Sequence, residues 1–335
     1  ACIIPFNFPI ELYAHKVAPA LAAGNAVIIK PASDAPLSNI YISDLIIRCG
    51  VPPQAVQVVT GSGSVIGAGL VGSKHIDAVS MTGSTEVGMN VYLSAAKNLS
   101  RCYLELGGND PLLIFDGVDV DYAVEEAIKG RILHAGQACC SSKRFIVQKG
   151  IRKAFTERLI EKLSKLKIGD TFDPATQVGP LINEKAACEV ESYVLKTVDQ
   201  GAVCALGGKR FDGNYFEVTV LTGVTPEMDI AKDLEVFGPV FPVIEFDTEQ
   251  QAIFIANNCH YGLSSGVICN DIKVALRVAE NIDAGNVTIN GSGLYRTHDM
   301  PFGGHRHSGL GTEGLYNTLE EFTKTKSVVF KAMQN

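Results

Sequence analysis

Cys139 and Cys140 stand side by side in HAGQACCSSKR (134–144), directly after a Gly-Gln pair. Adjacent thiols at the end of a helical stretch have four chemical readings: buried filler, a redox pair, metal ligands, or one nucleophile with a bystander. The nine cysteines are odd in number and show no CxxC or paired metal-type spacing. A disulfide framework or a zinc site is therefore not expected, and a reducing, cytoplasmic setting is. HRH (305–307) has the wrong spacing for two metal ligands on one helix face, so no metal is predicted. Two other residues have types that suit chemistry. Glu105, in LELGGND (104–110), is a carboxylate among apolar neighbours, where partial burial raises a pKa toward that of a general base; an isolated Glu at a strand end more commonly just faces solvent. Asn7, in PFNFP (5–9), carries a side-chain amide, although by itself it reads as a turn residue.

The elements that must position these groups alternate. Apolar strands are expected at 25–31, 55–61, 76–83 and 101–108, with helices at 36–50, 64–72 and 84–98 between them. A second series follows: strand 111–116, helix 119–135, strand 143–150 and helix 151–166. After a loop-rich middle come strand 241–246, a helix near 272–282, strand 285–291, an ordered Gly-rich loop over 291–311 and an edge strand at 325–331. Strand–helix alternation with short turns implies doubly wound parallel sheets, which bind ligands at the carboxyl ends of their strands. Two Gly-rich turns are candidates for phosphate binding. GSGSVIG (61–67) lacks the dinucleotide fingerprint spacing. TGSTEVG (82–88) places Ser84 where a helix begins, as an anion contact or simply as the helix N-cap.

Composition excludes other classes. A net charge of −7 argues against a nucleic-acid partner, and no apolar run approaches membrane-spanning length. The chain opens without Met, inside a strand, so it is expected to be a piece of a longer protein.

Seven motifs in register carry a resemblance: PFNFP, KPASDAP (30–36), TGSTEVG, LELGGND, GQACC, EVFGPV (235–240) and PFGG (301–304). Their order and spacing resemble the aldehyde dehydrogenase superfamily from end to end of the chain. The resemblance implies an α/β fold of two doubly wound parallel-sheet domains with a C-terminal oligomerisation strand. It divides the chain into an N-terminally shortened cofactor domain (1–107), a catalytic domain (108–310) and an oligomerisation tail (311–335). A homodimer or homotetramer is implied. So is oxidation of an aldehyde to its acid, through a thiohemiacetal and a thioester, with hydride passing to NAD or NADP.

By the same resemblance Cys139 is the nucleophile and Cys140 the bystander. Asn7 and the Cys139 backbone N–H form the oxyanion hole, and Glu105 activates water. The branch that passes the acyl group to coenzyme A lacks this base, so hydrolysis to a free acid is expected. Lys30 is implied at the adenosine ribose, Gly83 and Ser84 at the pyrophosphate, Glu235 at the nicotinamide ribose and Phe237 beside the nicotinamide. Ser33 stands where NAD-preferring members carry an acid. A hydroxyl there accepts a 2′-phosphate that a carboxylate repels, so NADP is expected to be accepted. Phe6 replaces the usual Trp and His134 the usual Asn. Arg131 and Arg296, with Lys129, are candidate cations for a short polar or anionic aldehyde, lactaldehyde-like or a semialdehyde; the alternative is solvated surface charge. Leu133 occupies the place of the arginine that succinate-semialdehyde dehydrogenases carry, which counts against that substrate. Two other functions remain open at this stage: a cofactor-independent thioesterase or esterase, and a catalytically silent homologue.

Overall fold

The computed structural model describes residues 1–297 and 299–331. Two sheets organise them. The first has six strands in the order Gly309–Leu310, Arg101–Glu105, Ala78–Thr82, Cys2–Ile3, Val27–Lys30 and Val56–Val58. The chain's first strand lies at its centre, with Cys2 paired to both Ile29 and Ser80. The second sheet has seven strands: Asn286–Ile289, Ser264–Ile268, Pro111–Ile114, Arg144–Gln148, Val240–Phe246, Thr219–Val224 and Val203–Leu206. All its pairings are parallel except that of the last strand. Helices cover its faces, which is why Leu112, Leu113, Phe145, Ile146 and Phe241 read as continuous apolar runs and are fully buried.

The α/β expectation holds, with differences that have physical reasons. The middle of the chain is structured: it supplies the Glu184–Asp199 helix and the Val203–Leu206 and Thr219–Val224 strands. Many polar residues between short apolar stretches hid these elements. Gly309–Leu310 pairs antiparallel with Arg101–Glu105, placing Gly309 opposite Glu105. The end of the 108–310 segment thus completes the first sheet. Residues 325–331 form no strand in the single chain, and Val328, Val329 and Phe330 are exposed. Alternation makes a strand only where a ladder partner exists, and this chain presents none to them.

Local chemistry sets the helix boundaries that matter for the site. Pro9 opens the Pro9–Ala22 helix, at a position where its missing N–H costs nothing. That helix buries Leu12, Tyr13, Lys16, Val17 and Ala20, one stripe at helical spacing that includes a lysine. Ser84 caps the Thr85–Ala96 helix, its hydroxyl accepting from the Val87 N–H at 3.4 Å. The Val120–Ile132 helix stops short of the sequence pattern, because His134 and Ala135 take left-handed backbone angles at φ 52° and 54°. Such residues cost roughly 1–2 kcal/mol each unless they are Gly or Asn. The His134 replacement therefore falls at a position whose geometry suits Asn, and its ring packs against Phe8 at 5.8 Å.

Candidate active site

The left-handed turn at 134–135 throws the chain into the loop that carries Cys139. That loop is tied from both sides. Asn7 donates its amide to the Gln137 carbonyl at 3.0 Å, and Gln137 accepts the Ile182 N–H at 2.8 Å. From beneath, Lys143, only 1% exposed, donates to the carbonyls of Ala138 (3.1 Å), Cys139 (2.5 Å) and Ser141 (3.4 Å). Cys139 and Cys140 are adjacent and both half-buried. The neighbouring Cys140 and then burial hold the Cys139 thiol well above the ordinary range, against the pull of Lys143. Two adjacent thiols do not ionise together, so Cys139 rests as a thiol.

Glu105 lies close enough for the charge of Cys139 to act on it. It ends the Arg101–Glu105 strand, where its carbonyl accepts the Gly83 N–H at 3.0 Å and the following Leu106 N–H donates to Ser308. Its side chain is buried, and among the described residues its Oε2 has no hydrogen-bond partner. Burial first, and then the charge of Glu313, push its pKa well above the usual carboxylate range; Lys16 and Arg296 pull the other way. Behind it, Lys16 and Glu313 form a buried ion pair, with His15 Nδ1 3.3 Å from the second Glu313 oxygen. Burial alone would raise Glu313, but Lys16 and His15 overcome it and hold it at about 2. Arg296 closes this cluster. It lies 4.2 Å over the Phe302 ring, with Nη2 3.4 Å from His15 Nδ1.

The residues that the sequence resemblance implies for the dinucleotide line the carboxyl edge of the first sheet and the gap to the second. Lys30 is buried, its ammonium donating to the Pro31 carbonyl at 2.8 Å, and burial lowers its pKa. Ser33 is exposed, and its hydroxyl donates to Gly61 at 3.2 Å, so the 61–67 loop lies beside the KPASDAP turn. Gly83 and Ser84 lead into the first turn of a helix, whose free N–H groups suit a phosphate. Glu235 accepts the Gly108 N–H at 3.2 Å and sits 3.4 Å from Lys143 Nζ. Phe237 meets Phe6 edge-on at 6.2 Å, so the Trp-to-Phe replacement keeps an aromatic contact. Glycine is required on this wall. A Cβ on Gly107 would lie 2.3 Å from Glu235 Oε2, and one on Gly108 would lie 3.1 Å from the Cys139 carbonyl oxygen. An ammonium, a helix N-terminus, a carboxylate for ribose hydroxyls and an aromatic edge form a donor set that fits NAD or NADP.

One candidate is corrected. Arg131 faces no substrate and is not a surface charge. It is fully buried and donates to the carbonyls of Val240 (3.0 Å), Val236 (2.7 Å) and Gly136 (3.4 Å) and to the Ser141 hydroxyl (2.7 Å). It braces the nucleophile loop, and desolvation lowers its pKa to about 9. Lys129 is exposed and pairs with Glu126. His305 and Arg306 pair with Asp283, on the surface. Sequence reasoning missed His15, Lys16, Glu313 and Lys143. The legible signal was Lys16 itself, a charge inside the apolar stripe of its helix.

The aldehyde dehydrogenase family model matches residues 1–328. Lactaldehyde dehydrogenase of Methanococcus maripaludis is 37% identical over 331 residues, 98% of this chain and 70% of that protein. The NADP(+) succinate-semialdehyde dehydrogenase of Escherichia coli is 39% identical over 328 residues, covering 97% of this chain and 68% of the relative. The crystal structure of Staphylococcus aureus betaine aldehyde dehydrogenase in complex with NAD+ superposes with a TM-score of 0.93 at 38% identity, over 100% of this chain and 69% of the other. Motifs, fold and site geometry agree with these matches, and the chain belongs to the aldehyde dehydrogenase family.

Proposed function

We propose that this chain oxidises a short polar or anionic aldehyde to its carboxylic acid with NAD or NADP. The observation that carries this reading is the convergence of Asn7 and Lys143 on the Cys139 loop, with the buried, part-unpartnered Glu105 beside it.

The steps follow from the chemistry of the side chains. Glu105 takes the Cys139 proton, and the sulfur bonds to the aldehyde carbon. The carbonyl oxygen becomes an oxyanion that accepts the free amide proton of Asn7 and the backbone N–H of Cys139. Each such donor lowers the barrier by about 2.7–4 kcal/mol. Lys30, Ser33, Gly83, Ser84, Glu235 and Phe237 would hold the dinucleotide, which when bound would supply the hydride acceptor for oxidation to the thioester. Glu105 releases the Cys139 proton to solvent and then removes a proton from water, whose oxygen bonds to the acyl carbon as the carbon–sulfur bond breaks and its electron pair stays on sulfur. The acid leaves, and the proton held by Glu105 passes to the sulfur, which restores the thiol.

Arg296 orients the substrate. It is half-buried, and its guanidinium is stacked on Phe302 and directed at the His15–Glu313 side of the site. A carboxylate, or a hydroxyl next to the aldehyde, gives that cation a partner. Leu133 supplies no second cation on its side of the site, which favours a small lactaldehyde-like substrate over a longer dicarboxylic semialdehyde. Ser33 presents a hydroxyl and no carboxylate to a 2′-phosphate, which supports use of NADP. A panel of short aldehydes assayed with both dinucleotides tests the proposal. Reduced dinucleotide and acid must form in equal amounts, with lactaldehyde or another small polar aldehyde leading; aldehyde-independent ester turnover alone would refute it.

A further inference from the structure

Lys143 is not accounted for by the reaction as written. It is a buried ammonium one turn beyond the nucleophile, and four oxygens surround its three protons: the carbonyls of Ala138, Cys139 and Ser141, and Glu235 Oε1 at 3.4 Å. Only Glu235 among these bears a charge. Its carboxylate is 18% exposed, reaches Lys143 through the gap that Gly107 leaves, and is the group assigned above to the nicotinamide ribose. One carboxylate therefore has two claimants, the lysine under the nucleophile and the dinucleotide.

We propose that Lys143 is a positioning residue that makes the reactivity of Cys139 depend on dinucleotide binding. While Glu235 lies against Lys143, the two charges offset each other and the sulfur gains little from the ammonium. When ribose hydroxyls engage Glu235, Lys143 is left on neutral carbonyls and its charge acts on the adjacent thiol. The other charged and titratable groups facing Cys139 do not take over this role. Cys140 and Glu105 raise its proton affinity or share its proton. Asp110, buried behind Lys143, is driven toward its neutral form by desolvation. Arg296 faces the Cys140 side. The nucleophile is thus least reactive in the free protein, where an aldehyde adduct has no hydride acceptor. This inference rests on the assignments of Cys139 and Glu235 in the proposed function.

The test is the rate of Cys139 alkylation by iodoacetamide across pH, with the labelled cysteine identified by peptide mass, with and without NADP. A pKa one unit lower yields about ten times more thiolate, and lower intrinsic nucleophilicity returns about a factor of three, so NADP should accelerate labelling about threefold at pH 7. Glu235→Gln should show that faster rate with no dinucleotide present. Lys143→Met should label slowly and ignore NADP, while NADP still raises its melting temperature. An undiminished NADP response in Lys143→Met, or a native rate in free Glu235→Gln, overturns the coupling. If Lys143→Met does not fold, the partly exposed Glu235→Gln decides. Labelling of Cys140 in place of Cys139 in the native chain is a different failure; it removes the nucleophile assignment and the coupling with it.

Discussion

Lys16 and Glu313 lie 297 residues apart in sequence and form a buried ion pair against Glu105, the proposed base. The Pro9–Ala22 helix brings one partner and the loop before Leu315–Glu321 the other. Burial raises the Glu105 pKa most, and the pair adjusts it from behind, Glu313 raising it further and Lys16 lowering it.

Glu313→Gln removes the raising charge and leaves Lys16 unopposed, so Glu105 ionises at lower pH and becomes a weaker base. The ascending limb of the rate of thioester hydrolysis should move to lower pH, and its plateau should fall about tenfold. A limb that moves to higher pH contradicts the assignment. Stability responds as well. Glu313 is held at about 2 in the fold, below its ordinary value of 4.5. Its contribution is therefore fully present above that ordinary value and is lost as pH falls toward 2. Urea midpoints of native and variant chains should converge on acidification.

Ser33→Glu places a carboxylate where a 2′-phosphate would sit. The NADP dissociation constant should rise about tenfold relative to that of NAD. An unchanged ratio would show that the adenosine ribose lies elsewhere.

Arg296→Met removes the cation proposed to face the substrate. The ratio of kcat/KM for an anionic aldehyde to that for an uncharged one of equal length should fall about tenfold. If both fall equally, Arg296 is supporting the Phe302 loop and not reading charge.

Arg131→Met tests the corrected role of that residue. It strands three buried carbonyls and a hydroxyl. Loss of such a buried, charged donor costs about 3 kcal/mol, read from the denaturant midpoint. Folded variant should keep the native ranking of aldehydes.

Much of this site was legible in the sequence, for identifiable reasons. Motifs such as GQACC and LELGGND carry their chemistry in local order, and the parallel strands announce themselves as apolar runs. Arg131 was misread because helical periodicity locates a face but does not say whether charge on it meets water or backbone carbonyls. Lys143 and Glu313 were missed because their partners are distant in sequence and only the fold pairs them. The 325–331 segment alternates like a strand, yet alternation specifies a ladder only together with a second strand.

Capture of the acyl-enzyme tests the central claim most directly. In Glu105→Gln, incubated with a reactive short aldehyde and dinucleotide, one equivalent of reduced dinucleotide should appear in a burst and turnover should then stop. Peptide mass analysis should find the acyl group on Cys139. Steady turnover, or the acyl group on Cys140, would contradict the account.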